Sequence, residues 1–243
     1  MCVEQLLLVL PTAADPTTGH ELTGYQWGAL VDDFAAQGGH ELILGGAEPL
    51  GYPGFWQLVR RGQKARIPRI TAYLNGGLLE PWVVRALVER HVHALIALDS
   101  PDREIHDQLH GAGSHARALA ALDLFIKQGL EQRTGILATV TRLNHEQLPA
   151  LGAWAAGLGL ARCLWRCMPD GDWPSTQLRA LRLSPQEKIA VANAMQTRAP
   201  RLLRVEARGE AFWGFSGAGG RAGNLKVERL KHFQDRLIPA AGD

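Results

Sequence analysis

The sequence predicts an α/β protein built from βαβ units around a mainly parallel sheet. Three observations predict it. Six short runs rich in Leu, Ile, Val and Ala recur at intervals of roughly 25 to 40 residues, the length of a strand–crossover–strand unit. Between them lie segments with apolar residues every three or four positions, the period of a helix. The runs also stop at turn formers, as in Gly45-Gly46, Asn75-Gly76-Gly77 and Asp99-Ser100-Pro101. Repetition of this kind is satisfied by right-handed crossovers, either in a barrel or partial barrel or in a flatter doubly wound sheet. In both, ligands gather at the C-terminal strand ends.

Each element follows from its local pattern. Glu4 to Leu10 reads as a buried strand and Pro11 to Leu22 as a polar loop. Thr23 opens a helix, with Gln26 completing a capping box and Trp27, Leu30, Val31 and Phe34 on its apolar side. Gly38-Gly39 ends it, and the second strand follows from Glu41. Phe55 to Arg61 is a short helix, Ile67 to Leu74 a third strand, Pro81 to His91 a helix and His93 to Leu98 a fourth strand. Helices at Asp102 to Leu109 and His115 to Gln128 flank Gly111-Ala112-Gly113. Arg133 to Thr141 is a fifth strand, Asn144 caps a helix reaching about Leu158, and Ala161 to Cys167 is a sixth strand. Beyond Trp173 the pattern changes. Ser184 to Met195 is a helix with Ser184 as N-cap and Glu187 at the capping-box position. RLLRVEA is a strand, Phe212, Trp213 and Phe215 before SGAGGRAGN form a flap or docking surface, and Leu225 to Leu237 is an amphipathic basic helix.

Composition bounds the partners. The chain has 243 residues, 46% hydrophobic and 21% charged, enough for a sizeable core. A net charge of +2 argues neither for a nucleic-acid binder nor for an acidic-surface protein, and neither a nucleic acid nor a membrane is expected as a partner. No apolar run reaches the roughly 18 residues of a membrane span, and Val3 to Leu10 lacks the basic flank of a signal peptide. Three cysteines, an odd number, fit a reducing cytoplasm better than a disulfide framework.

The stretch HELILGGAEPLGYPGF, His40 to Phe55, is the centre of the functional reading. A strand that ends on paired glycines leaves backbone N–H groups open to a ligand, and Glu48 adds a carboxylate beside them. The stretch resembles the "GGEP" strand end of the radical S-adenosylmethionine (SAM) superfamily, in its peptide-modifying and cofactor-maturing branch. Further blocks in family order extend the resemblance over Leu22 to Asp172: ELTGYQW, YLNGGLLEPWVVRALVE, LIALDSPDREIHDQLHGAGSHARALAALDLF and TVTRLNHEQLPALGAWAAGLGL. It implies a partial (β/α)6 barrel over residues 1–172 and a short α-rich C-terminal extension over 173–243. It also implies a SAM pocket at Gly45, Gly46, Glu48, Asn75 and Asp99, where the glycines and Glu48 would hold the amino group.

The chain departs from that family at one decisive place. Members carry CxxxCxxC after the first strand, and the three thiolates hold a [4Fe–4S] cluster. Here that loop is PTAADPTTGHELT, Pro11 to Thr23, without a cysteine. His20 and Asp15 in it read as solvated, Cys163 and Cys167 as inert thiols on the sixth strand, and Cys2 lies before the first strand. Supporting positions have drifted as well: Leu74 stands for Thr, Ala97 for Ser, His110 for Arg and Ala47 for a glycine. The expectation is therefore a degenerate, cluster-free pseudoenzyme, with no catalytic or metal residues, no [4Fe–4S] cofactor and at most residual SAM binding. It would act as a partner in a hetero-complex with an active radical SAM enzyme, as a holder of a modified peptide or precursor, or as a homo-oligomer.

His91-x-His93 would put two rings on one strand face, as in some metal sites, but reads as a helix end followed by a strand start. Arg162, Arg166 and Asp170, near the end of the sixth strand, could face a peptide or anion. An enzyme with repurposed chemistry would use Glu48, Asn75, Asp99 or His106 as acid, base or ligand groups.

Overall fold

The structure, a computed structural model, describes residues 5–10, 22–46, 48–167, 180–198, 203–208 and 212–217. Strand and helix alternate as the sequence pattern requires. The order is β1 (Gln5–Leu10), α1 (Gly24–Ala36), β2 (Glu41–Gly46), α2 (Phe55–Lys64), β3 (Arg69–Leu74), α3 (Pro81–Glu89) and β4 (Val92–Ala97). Then come α4 (Arg103–His110), α5 (Ser114–Ile126), β5 (Thr134–Val140), α6 (Leu148–Gly157) and β6 (Arg162–Cys167). Strands β1 to β6 pair in sequence order, all parallel, as a half-barrel.

The segment after β6 holds the expected helix, α7 (Pro185–Arg198), and the expected strand, β7 (Leu203–Arg208). The aromatic stretch read as a flap or docking surface is instead a strand, β8 (Phe212–Gly217), antiparallel to both β6 and β7. A hairpin therefore lengthens the sheet to eight strands in the order β1-β2-β3-β4-β5-β6-β8-β7. The expected division near residue 172, the last helix Leu225 to Leu237, and the segments containing Cys2, Asp15, His20, Ala47 and Asp170 lie outside the described residues. Among the described residues no helix is long and apolar enough to cross a membrane.

Caps fix the helix starts. Thr23 Oγ1 accepts from the Gln26 N–H at 3.3 Å, while Gln26 Oε1 accepts from the Thr23 N–H at 2.8 Å. Ser184 and Glu187 repeat the device on α7. Glu187 also pairs with Arg142 at 3.1 Å, so one residue starts the helix and ties it to the loop after β5.

Period-two alternation sorts each strand into two faces. Outward residues, such as Leu42, Leu44, Ala94, Ile96, Cys163 and Trp165, share one cluster with the helix residues Val31, Phe34, Val84, Leu122 and Leu151. Each fully buried leucine there contributes about 1.5–3 kcal/mol. Inward residues form a smaller cluster of Ile43, Tyr73, Leu95, Leu137 and Leu164, with Leu7 packed against it.

The concave interior therefore has three storeys. At the foot, Glu41 and Arg162 are buried and joined at 2.6 Å. Thr71 Oγ1 donates to Glu41 at 2.6 Å and Gln5 Nε2 at 2.5 Å. The middle storey is the inner apolar cluster, and the third is the mouth at the C-terminal strand ends. Gly135, at the start of β5, is needed at the foot: a Cβ there would lie 2.4 Å from the Arg162 carbonyl oxygen.

This arrangement corrects one expectation. Arg162 opens β6 rather than lying near its end, and it points into the foot, where a bound peptide cannot reach it. Four residues along the same face, Arg166 does reach the mouth. His91 does not belong to β4: it turns the chain after α3 at φ 53° and is exposed, so the HxH face does not form.

Candidate functional site

The mouth is assembled from the turns that follow the strands. β2 ends at Gly46, where a φ of 132° and the Leu10 carbonyl oxygen, which would lie 2.3 Å from an added Cβ, leave no room for a side chain. Gly45, one residue earlier, is buried, and a Cβ there would touch Leu7 at 3.1 Å. Glu48 follows and caps the short 3-10 turn Pro49–Gly51, accepting from the Leu50 N–H at 3.3 Å. Its other oxygen accepts from the Asn75 N–H at 3.0 Å, binding the end of β2 to the end of β3. Burial raises the Glu48 pKa, against the opposing pull of those two N–H groups. Asn75 turns its own Oδ1 onto the Gly77 N–H at 2.7 Å.

Asp99, at the end of β4, is 2% exposed. Its Oδ1 accepts from the Thr139 N–H and its Oδ2 from His110 Nε2–H, both at 2.7 Å. The Asp99 N–H donates to His106 Nδ1 at 3.1 Å, so that nitrogen carries no proton. The rings of His106 and His110 stack with centroids 4.7 Å apart, and His115 meets His106 edge-on at 5.8 Å. Asn144 completes the support: its Nδ2 donates to the carbonyls of Asp99 at 2.7 Å and Thr139 at 2.8 Å, while its Oδ1 accepts from the Thr141 N–H and hydroxyl.

Asp107 does its work on the helix behind. It accepts from the N–H groups of Gly113 and His115 and from the Ser114 hydroxyl, starting α5 where Gly113 is left-handed and carries no side chain to cap it. These bonds hold its pKa down at about 2.

Charge at the mouth is set by these contacts. Burial, and then the neighbouring His110, push the His106 pKa down to about 4. For His110 burial acts in the same direction, but the hydrogen bond and charge of Asp99 outweigh it and the net shift is upward. At the foot, His93 is pushed down to about 4 by burial and then by Arg69 and Arg162.

A stability consequence follows for His106. Its folded pKa lies below its unfolded value, so between about pH 6.5 and pH 4 the folded state binds fewer protons. The neutral ring's contribution is complete above pH 6.5 and is lost as the pH falls toward 4. We expect the urea midpoint to drop across that window, with His106 accounting for on the order of 2–3 kcal/mol. His93 adds to the same slope, so His106→Asn should flatten the profile in part. An unchanged profile in that variant would refute the assignment.

The mouth encloses a cavity of about 570 Å³. Of the five residues expected at the pocket, Gly46 and Asn75 line it. Glu48 and Asp99 are turned to internal partners instead, and Gly45 is packed beneath. His106, His110, Ser114, Arg117, Thr139 and Arg166 line it too. No local pattern in the sequence marks Arg117 or Thr139 as site residues, and His110 stands out there only as a departure from the family block and as one of several clustered histidines. Periodicity carries a usable signal for Thr139, since it shares the inward parity of Leu137.

Comparisons with known proteins agree with the half-barrel fold. Residues 14–155 match the model of the radical SAM superfamily. The chain belongs to that superfamily. An AdoMet-dependent heme synthase of Methanosarcina barkeri (strain Fusaro / DSM 804) is 32% identical over 141 residues, 57% of this chain and 40% of the relative. A mycofactocin maturase, MftC, of Mycobacterium ulcerans (strain Agy99) is 30% identical over 152 residues, 62% of this chain and 41% of the relative. The chain thus spans about 40% of the length of these curated relatives. Streptococcus suis SuiB bound to S-adenosylmethionine shares the fold, with a TM-score of 0.55 at 16% identity over 80% of this chain and 44% of that one. The two curated relatives are thus a synthase and a maturase, and the half-barrel is the fold shared with SuiB.

Proposed function

We propose that this chain is a non-catalytic radical SAM protein, a partner or precursor-holding subunit for an active enzyme in peptide modification or cofactor maturation. The observation that carries the reading is donor chemistry. A [4Fe–4S] cluster needs thiolates at set spacing, and residues 11–23 supply none. The three cysteines of the chain are Cys2, Cys163 and Cys167. Cys163 faces the outer core, fully buried, where burial pushes its thiol pKa far up and holds it protonated. These donors do not fit the cluster, and no step is derived through it.

Residual SAM binding at Gly45, Gly46, Glu48, Asn75 and Asp99 would have to manage without an iron anchor. Glu48 and Asp99 are already engaged by backbone amides and His110. A barrel over residues 1–172 with residues 173–243 as an extension, a cytoplasmic location, and a hetero-complex with a cluster-bearing enzyme or its peptide belong to the same reading.

One observation favours a second reading, an enzyme with cluster-independent chemistry: the Asp99–His110 pair at the mouth is arranged as an acid/base pair. Anaerobic iron–sulfide reconstitution followed by SAM titration tests the first reading. We expect no stoichiometric cluster and no saturable SAM binding, together with co-purification of a cluster-bearing enzyme from the native host. A reconstituted cluster would overturn the proposal, and turnover by the isolated chain would establish the second reading.

A further inference from the structure

The foot of the half-barrel carries more positive charge than its one buried carboxylate answers. Arg69 opens β3, His93 lies on β4 and Arg133 immediately precedes β5, so the three come from neighbouring strands. Thr71 pairs with His93 and Ala94 with Thr134, which sets Arg133 beside His93 and Arg69 one inward step below it. All three share the parity of the inward residues Tyr73, Leu95 and Leu137, and all three are half-buried. Arg69, Arg162 and Arg133 act by charge on the His93 ring, and Glu41 opposes them. Glu41, however, is already engaged by Arg162, Thr71 and Gln5. Among the described residues no side-chain hydrogen bond or salt bridge holds Arg69, His93 or Arg133.

We propose that Arg69, His93 and Arg133 form a phosphate-binding site at the foot, for phosphate that is free or carried on a small molecule. Two guanidinium groups are offered from strands roughly 10 Å apart, with an imidazole between them. Donors from three strands suit a tetrahedral oxyanion, whereas a planar carboxylate is filled by a single guanidinium fork. The Glu41–Arg162 pair is neutral as a unit, and Arg162 is 5% exposed, so an anion meets the charges of Arg69 and Arg133. The site lies at the end opposite the mouth and is independent of whether a cluster or SAM binds there.

The full chain is titrated at neutral pH with inorganic phosphate, phenyl phosphate, acetate, and sodium chloride at matched ionic strength. The readouts are the His93 ring-proton signals and the thermal midpoint. Inorganic phosphate is expected to shift the His93 signals saturably and to raise the midpoint, as a ligand of the folded state must. Phenyl phosphate binding as well would show a site open to a carried phosphate, and inorganic phosphate alone a site for the free ion. Acetate should bind about tenfold more weakly, and chloride should leave the His93 signals in place. Arg69→Gln and Arg133→Gln should each weaken phosphate about tenfold. Each removes one of several like charges, so the midpoint without phosphate should hold or rise. A chloride response equal to that of phosphate, acetate binding as tight as phosphate, unchanged affinity in both variants, or no saturable shift would each overturn the proposal. Movement of the His110 signals at the mouth without those of His93 would place the phosphate at the other end and overturn it as well.

Discussion

Replacing Glu41 by leucine alone is expected to destabilise the fold by about 3–5 kcal/mol, because it strands the Arg162 guanidinium inside the half-barrel. Both side chains are almost wholly buried, 3% and 6% exposed, and they meet at 2.6 and 3.4 Å. The two charges come from strands β2 and β6, which are 121 residues apart in the chain. The Thr71 and Gln5 hydrogen bonds to the same carboxylate would be lost with it. Removing both charges is a different matter. An apolar pair of similar volume, Glu41→Leu with Arg162→Met, should recover most of the loss, since each charge was costly to desolvate. Urea denaturation of the parent, the two single variants and the double variant closes this cycle. Losses that simply add in the double variant would show that the two side chains do not depend on each other.

The second large effect is expected at Asn144. The Asn144→Ala variant should lose about 3 kcal/mol, since it leaves the carbonyls of Asp99 and Thr139 and the N–H of Thr141 without their buried partner. Unlike the change at the foot, this one should also reach the mouth. Asn144 holds the backbone of Asp99, whose side chain in turn orients His110 and accepts from Thr139. The ring-proton signals of His110 are expected to shift and broaden along with the drop in stability. A variant within about 0.5 kcal/mol of the parent would show that water replaces the amide without cost.

How far these features could be read in the sequence depends on how local they are. The six parallel strands, the caps at Thr23 and Ser184, and the glycine and asparagine strand ends are written in short-range patterns, and each lies where those patterns put it. Glu41 is not legible in that way. It opens an apolar run and looks like a boundary charge, although it is 3% exposed, because its partner lies on a strand more than a hundred residues later. Arg162 misleads for the converse reason: an arginine on a strand points by its type to the wet end, and the buried carboxylate that holds it lies 121 residues away. At the site, the ends Gly46, Asn75 and Asp99 were legible as turn signals. What Glu48 and Asp99 bind was not, since backbone amides from neighbouring strands leave no trace in residue type. β8 is hidden because three aromatics interrupted by glycine lack clean alternation.

The clasp between Glu41 and Arg162 ties strands β2 and β6 together from the end opposite the mouth. Substitutions around the opening can therefore accumulate without loosening the scaffold that displays them. A single change at the opening is therefore cheaper for folding than a single change at the base, where one charge cannot be altered without its partner.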